Sequence, residues 1–321
     1  MTVLLTGGTG FVGLHVLRAL ATRGDAVVSV STRGALDTDG RALLGEAADR
    51  IVFLKAEITD LAGLRQIVRD HGVTRIVHGA AITAIGDMER QAPYPAVMVN
   101  VGGTATVLEA ARLESLRRVV YLSSATIYGS GDPAVPIPED QPIRPAGIYA
   151  ITKQAAEALV LRYQTLFDLD PVILRISAPY GPLEHPTGGR QLMSPIYGWC
   201  RAALAGEPVC LDADLERDFT WVGDTADAIV RALHADRLPA RVYNVGAGRN
   251  VRFSEVLAAL AALRPGFKVT QTAGAVDAFF RDSLRGPLDV TRARRDLGWE
   301  PRTGMAEGLT RYLDWLPTHR A

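Results

Sequence analysis

The sequence is short of cysteine, of net charge and of long apolar runs, and each shortage excludes something. Only Cys200 and Cys210 occur in 321 residues. That is too few for a disulfide framework, and their spacing fits neither a metal site nor a redox pair. A reducing compartment and two plain core thiols are the expectation. Lys plus Arg total 35 and Asp plus Glu total 35, so there is no basic excess to hold nucleic acid or an anionic membrane. No apolar run approaches the roughly 20 residues of a membrane-spanning helix. The first residues lack the basic stretch that opens a signal peptide. No internal repeat or low-complexity tract is present. A chain 48% hydrophobic can fill one large or two modest cores. The reading is a soluble, cytoplasmic chain with no metal centre.

What is present begins at once. Thr2–Thr6 is an apolar, β-branched run suited to a buried strand. G-G-T-G-F-V-G follows from Gly7 to Gly13, and then Val12, Val16, Ala19 and Leu20 recur with helical period. A glycine turn between strand and helix is the setting in which such a motif binds a dinucleotide. Gly7 lets the chain reverse, Gly10 has no Cβ to block a pyrophosphate, and Gly13 lets helix and strand pack closely. The free N–H groups of the first helical turn, Phe11 and Val12 among them, face the phosphates.

Strand and helix signals then alternate. Strands are expected at Ala26–Ser31, Ile51–Lys55, Arg75–His78, Arg118–Ser123 and Pro171–Arg175. Helices are expected over Leu61–Asp70, Tyr94–Glu114 and Ile148–Phe167. This predicts an α/β fold, a doubly wound parallel sheet with helices on both faces and its ligand at the carboxyl ends of the strands. After Arg175 the pattern loosens. Ala178–Arg190 reads as a loop, Met193–Ala205 as a helix, Asp218–Val222 as a strand, Asp224–His234 as a helix and Val242–Val245 as a strand. Helices follow at Ser254–Leu263, Thr291–Leu297 and Met305–Leu316. Residues 1–175 and 218–250 are assigned to the nucleotide-binding domain, and 176–217 and 251–321 to a smaller substrate lobe.

Tyr149-Ala-Ile-Thr-Lys153 opens the second long helix. At i, i+4 the phenol and the ammonium share a face. A neighbouring cation favours the phenolate, so the phenol pKa is expected to fall and Tyr149 to move a carbinol proton while hydride passes to or from a nicotinamide. A serine at the preceding strand end, Ser123 or Ser124, could hydrogen-bond the same carbinol oxygen and hold it against Tyr149.

With H-G-A-A (His78–Ala81), V-N-V-G-G-T (Val99–Thr104), S-S-A-T-I-Y-G (Ser123–Gly129) and R-D-F-T-W-V-G-D (Arg217–Asp224) in this order, the chain resembles the extended short-chain dehydrogenase/reductases. More narrowly it resembles the NAD-dependent epimerase/dehydratase family. The resemblance implies that Gly7, Gly10, Phe11, Val12 and Gly13 bind the pyrophosphate. It implies that Ser31, Thr32, Arg33, Glu57, Ile58, Gly79, Ala80 and Ala81 line the rest of the cofactor site. Ser124, Tyr149, Lys153 and Asn100 are implied as catalytic, with Lys153 also on the nicotinamide ribose. Thr83, Ser124, Ala178, Arg217 and Arg281 are implied against substrate, with Arg285 near Arg281. Tyr94, Tyr128 and His78 read as packing residues. A homodimer, a sugar or sugar-nucleotide substrate and NAD or NADP are implied.

Three departures qualify this. Ser31, Thr32 and Arg33 stand where NAD users carry an acid, which tilts the expectation to NADP. Ala178 replaces an Asn that serves sugar nucleotides. Ala125 and Thr126 replace the Asp-Glu pair of dehydratases, which sets dehydration aside. A simple NADP-dependent dehydrogenase of a non-nucleotide carbonyl is the alternative. A non-catalytic NAD(P) sensor is a remote one, because it need not keep Ser124, Tyr149 and Lys153 together.

Overall fold

The computed structural model describes residues 1–116, 118–271 and 283–319. Six strands come first: β1 (Thr2–Thr6), β2 (Ala26–Ser31), β3 (Ile51–Lys55), β4 (Arg75–His78), β5 (Arg118–Ser124) and β6 (Asp170–Ile176). The short β7 (Ala178–Tyr180), β8 (Val209–Leu211), β9 (Glu216–Arg217) and β10 (Phe219–Trp221) follow. Then come β11 (Val242–Val245), β12 (Val251–Arg252) and β13 (Val269–Gln271). Seven strands form one parallel sheet in the order β11-β6-β5-β4-β1-β2-β3. Within β1, Val3 and Leu5 point into the core on one face and Leu4 into the core on the other, the two-residue alternation of a strand buried on both sides. Truncating Leu4 or Leu5 to alanine is expected to cost about 2–5 kcal/mol.

The helices are α1 (Phe11–Arg23), α2 (Thr38–Leu44), α3 (Leu61–Asp70), α4 (Asp87–Gln91), α5 (Pro93–Val97), α6 (Gly103–Leu113), α7 (Ile148–Leu166), α8 (Pro195–Ala205), α9 (Val222–His234) and α10 (Phe253–Leu263). Helices over Thr291–Leu297 and Met305–His319 follow. Helix α1 packs on α9, and α6 packs on both α3 and α7. Thr6 of β1 pairs with Val30 of β2 and with His78 of β4. Connections therefore diverge on the two sides of β1, and this opens the crevice at its carboxyl end. A separate core gathers Tyr180, Ile196, Cys200, Phe219, Trp221, Phe253, Leu260 and Tyr312.

Several elements differ from the sequence reading. The expected helix Tyr94–Glu114 starts at Pro93 and is widened by a π turn over Met98–Gly102. There the Thr104 hydroxyl bonds the Asn100 carbonyl at 2.6 Å, and Ile58 fills the space a Gly103 Cβ would need. The expected strand Asp218–Val222 shortens to β10, separated from β9 by Asp218, whose carboxylate accepts the N–H groups of Ala247 and Leu288. Its last residue, Val222, begins α9. The expected loop Ala178–Arg190 opens with β7, paired to β10. Cys200 is buried but Cys210 is exposed, so only one of the two thiols is a core residue. Among the described residues no helix is long and apolar enough to cross a membrane.

Candidate active site

A cavity of about 310 Å³ opens at the carboxyl ends of β1, β4, β5 and β6 and runs toward the second core. Its floor is the glycine turn. Gly7 has φ +73°, and a Cβ there would lie 2.8 Å from Ala80 N. At Gly13 a Cβ would lie 2.3 Å from the Gly7 carbonyl oxygen. Gly10 caps α1 with no side-chain hydrogen bond. The bond from Leu14 N to Gly10 O, at 2.9 Å, closes the first helical turn. The amides of Phe11, Val12 and Gly13 are thus the orphan donors of a positive helix end, and all three residues line the cavity. These residues fit a dinucleotide pyrophosphate.

The wall is built by β5 and α7. Ser124, Tyr149 and Lys153 line it together with Gly79, Ala81 and Thr83. The Tyr149 phenol meets the hydroxyls of Ser124 and Thr83. The Ser124 hydroxyl also accepts from Thr126 N at 3.2 Å and Thr126 Oγ1 at 3.0 Å. Asn100, at the π turn, stands behind this wall. It accepts from Ile82 N at 2.8 Å and donates to Ile82 O and the Thr152 hydroxyl, each at 2.9 Å. It therefore ties the segment carrying Thr83 to the helix carrying Tyr149. Ala80 also lies behind, its N–H on the Thr6 hydroxyl. His78 bonds Thr6 and Thr104 within the core, and burial drops its pKa to about 3. Tyr128 donates to Asn244 and accepts from Arg175, a buried polar link as well as packing. Tyr94 is exposed and makes no core packing.

The expected fall in the Tyr149 pKa is corrected. Burial raises it, while Ser124, Arg190 and Thr83 pull it back. Lys153 gives its Nζ to Leu122 O at 2.7 Å and lies 5.8 Å from the centre of the Tyr149 ring. Burial lowers the pKa of Lys153 itself to about 8. The i, i+4 spacing puts the two on one face, but the ammonium reaches past the phenol to the strand end.

The outer residues divide. Ser31, Thr32, Arg33, Glu57 and Ile58 are not on the cavity wall. The Ser31 hydroxyl accepts from Gly34 N at 3.1 Å. Arg33 bonds the Thr9 carbonyl and pairs with Asp37 at 3.4 Å, so it does lie over the glycine loop. Glu57 is exposed, and Ile58 is buried under Gly103. At the far end Ala178, Arg217 and Arg285 line the cavity; Arg281 lies outside the described residues. Arg217 donates to Ser283 at 2.7 Å and Arg285 to Gly129 O at 2.9 Å. Burial, then repulsion from Arg285, lowers the Arg217 pKa to about 9; burial lowers that of Arg285 to about 10, against the pull of Asp218. Two half-buried guanidiniums lining one cavity fit a strong anion. Thr126 reads from the sequence only as the place of a missing carboxylate, and Glu184 and Arg190 carry no site signal there. The last two sit in a Pro- and Gly-rich loop where no periodicity marks them.

The family model described as NAD dependent epimerase/dehydratase family matches residues 3–246. The chain is 33% identical over 327 residues to the UDP-glucose 4-epimerase of Mycolicibacterium smegmatis, covering 98% of each. It is 29% identical to the dTDP-glucose 4,6-dehydratase of Streptomyces niveus, over 100% of this chain and 94% of that one. The solved UDP-glucose-4-epimerase of Stenotrophomonas maltophila, with bound NAD and formylated UDP-arabinopyranose, superposes with a TM-score of 0.86 at 26% identity. That match covers 99% of this chain and 98% of the other.

Proposed function

The chain belongs to the NAD-dependent epimerase/dehydratase family, and from that premise we propose that it transfers hydride at a carbinol carbon of a nucleotide sugar, with Tyr149 as acid/base. One observation carries the reading. The Ser124 and Tyr149 hydroxyls and the half-buried Arg217 and Arg285 line the same cavity, one end suited to a carbinol and the other to a diphosphate.

The amides of Phe11, Val12 and Gly13 would hold the cofactor pyrophosphate, and Lys153 the nicotinamide ribose. Bound there, the dinucleotide supplies the acceptor and donor of hydride. The chain's own residues do the rest. Ser124 orients the carbinol oxygen, and Tyr149 takes its proton as the carbon is oxidised and returns it on reduction. Arg217 and Arg285 anchor the diphosphate, and the enclosed wall keeps water from the ketone. Epimerisation asks that the ketone present its other face before reduction. Beside Ser124, Ala125 is buried and Thr126 bonds Ser124, so no carboxylate stands there to expel a hydroxyl, and dehydration is not part of the reading.

The cofactor of the reading is NAD, as in the solved Stenotrophomonas relative. The tilt toward NADP rested on the missing acid and on Ser31, Thr32 and Arg33 as partners for a 2′-phosphate; here the Arg33 guanidinium bonds Thr9 and Asp37, and the Ser31 hydroxyl accepts from Gly34 N. The molecule works as a homodimer through its two long helical stretches.

The test is incubation with UDP- and dTDP-sugars followed by NMR, with mass spectrometry of the dinucleotide that copurifies. The expected result is a mixture of two epimers from one nucleotide sugar, with retained NAD. Consumption of a non-nucleotide carbonyl with NADPH, and no turnover of any nucleotide sugar, would overturn the reading.

A further inference from the structure

Between Gly181 and Ser194 the chain crosses the cavity mouth before opening α8. This strap is docked. Thr83 N donates to Gly189 O at 2.7 Å, and Thr83 and Arg190 form an isolated parallel bridge. The docking carries a cation into the site. The Arg190 guanidinium stands 5.3 Å from the centre of the Phe11 ring. It donates to Glu184 Oε1 at 2.7 Å and to Leu192 O at 3.3 Å. The Glu184 side chain is fully buried and also accepts from the backbone N–H and the hydroxyl of Ser194, each at 2.7 Å. Ser194 is the N-cap of α8. Strap, helix cap and guanidinium are therefore locked as one unit.

Several charged or titratable groups surround the phenol. Lys153 comes from its own helix and Tyr121 from β5. Glu89, from α4, accepts Ile148 N at 2.6 Å. Arg190 and His185 come from the strap and line the same cavity. Lys153 is committed to Leu122 O and lies over the Tyr121 ring. Thr83, which bridges to Arg190, is also one of the hydroxyls that meet the phenol.

We propose that Arg190 is a positioning residue of the reaction, holding a fixed positive charge beside Tyr149 from the substrate side of the cavity. It rests on the reading of Tyr149 as acid/base. Arginine suits the place. Its planar fork takes the Glu184 carboxylate and the Leu192 carbonyl together, its flat face lies on Phe11, and it stays charged at every working pH. Its field is also among the influences that pull the phenol back from the effect of burial.

The experiment is a spectrophotometric tyrosinate titration of the full chain. Wild type minus Tyr149→Phe is compared with Arg190→Gln minus the Arg190→Gln, Tyr149→Phe double variant. No turnover is needed, so a failed activity assay and a failed proposal are told apart. The expected result is a Tyr149 midpoint raised by about one pH unit in Arg190→Gln, roughly tenfold in proton affinity, and largely restored in Arg190→Lys. The kcat pH profile on an active nucleotide sugar moves by the same amount. An unmoved midpoint in a folded Arg190→Gln chain would overturn the proposal. Equal shifts in Arg190→Gln and Arg190→Lys would overturn it as well, since charge would then not be the cause. If Arg190→Gln fails to fold, Arg190→Met, which also lacks the charge but keeps an unbranched stem against Phe11, must raise the midpoint or the proposal falls.

Discussion

Tyr149 is a half-buried phenol on the cavity wall with its proton held more tightly than usual, and Lys153 is a buried amine with its proton held loosely. Both shifts come first from burial. Replacing Tyr149 with Phe removes the one group placed to exchange the carbinol proton. Turnover is expected to fall about 10²–10⁴-fold while NADH affinity, followed by fluorescence titration, stays near wild type. A variant keeping a tenth of the rate, with chemistry limiting, would refute the role. For Lys153 the sign is set by a folded pKa of about 8 below its ordinary value. The ammonium is present below that pH and lost above it, so ribose binding weakens as pH rises through 8. The apo chain, which favours the neutral amine, gains stability between that pH and the unfolded pKa. NADH titrations across this range should show an alkaline loss of affinity that Lys153→Met lacks; the same slope in both would dismiss the ribose contact. The tyrosine–lysine pair was legible because i, i+4 fixes a shared face. The pKa of the phenol was not, because burial depends on residues far away in sequence.

At the scale of elements, α1 is a helix whose start is specified by what its glycines omit. A methyl at Gly13 would meet the Gly7 carbonyl oxygen at 2.3 Å and Gly8 Cα at 2.8 Å. Both are backbone atoms that cannot yield without opening the turn. Gly13→Ala is expected to cost about 1–3 kcal/mol in stability and to abolish measurable dinucleotide binding, read by thermal unfolding with and without NAD. A variant still stabilised by NAD as strongly as wild type would sink the pyrophosphate assignment. Sheet strands and α1 were legible because their apolar alternation and their glycines are local signals. The π turn at Asn100 was not, since it answers to Ile58, Ile82 and Thr152 on other elements. Nor was the break at Asp218, which is fixed by amides about 30 and 70 residues downstream. The strap escaped for a related reason. Glu184 and Arg190 carry no periodic signal, and only the fold brings them into one ion pair with its carboxylate fully buried.

For the whole molecule, the surface left over carries the argument. Among the described residues twelve large apolar side chains are exposed. Eight of them belong to two stretches, Tyr94, Val97, Met98 and Leu113 in one and Ile151, Leu161, Leu166 and Phe167 in the other. Helices α5 and α6 both pack against α7, so these stretches are neighbours. Tyr94, Val97 and Met98 recur at i, i+3 and i+4, which puts them on one face. Apolar side chains concentrated in this way, rather than scattered singly, mark a surface meant to be covered. A two-fold axis lets the same pair of helices cover itself as a four-helix bundle. The chain is expected to be a dimer at micromolar concentration by light scattering. Leu161→Glu combined with Val97→Glu should shift it to monomer while leaving the NAD-binding fold intact by circular dichroism. Asn100 and Tyr149 lie on the same helices, so the monomeric variant is also expected to lose turnover more than NAD affinity. A wild type that scatters light as a monomer, or a double variant that stays dimeric, would show that these helices do not form the interface.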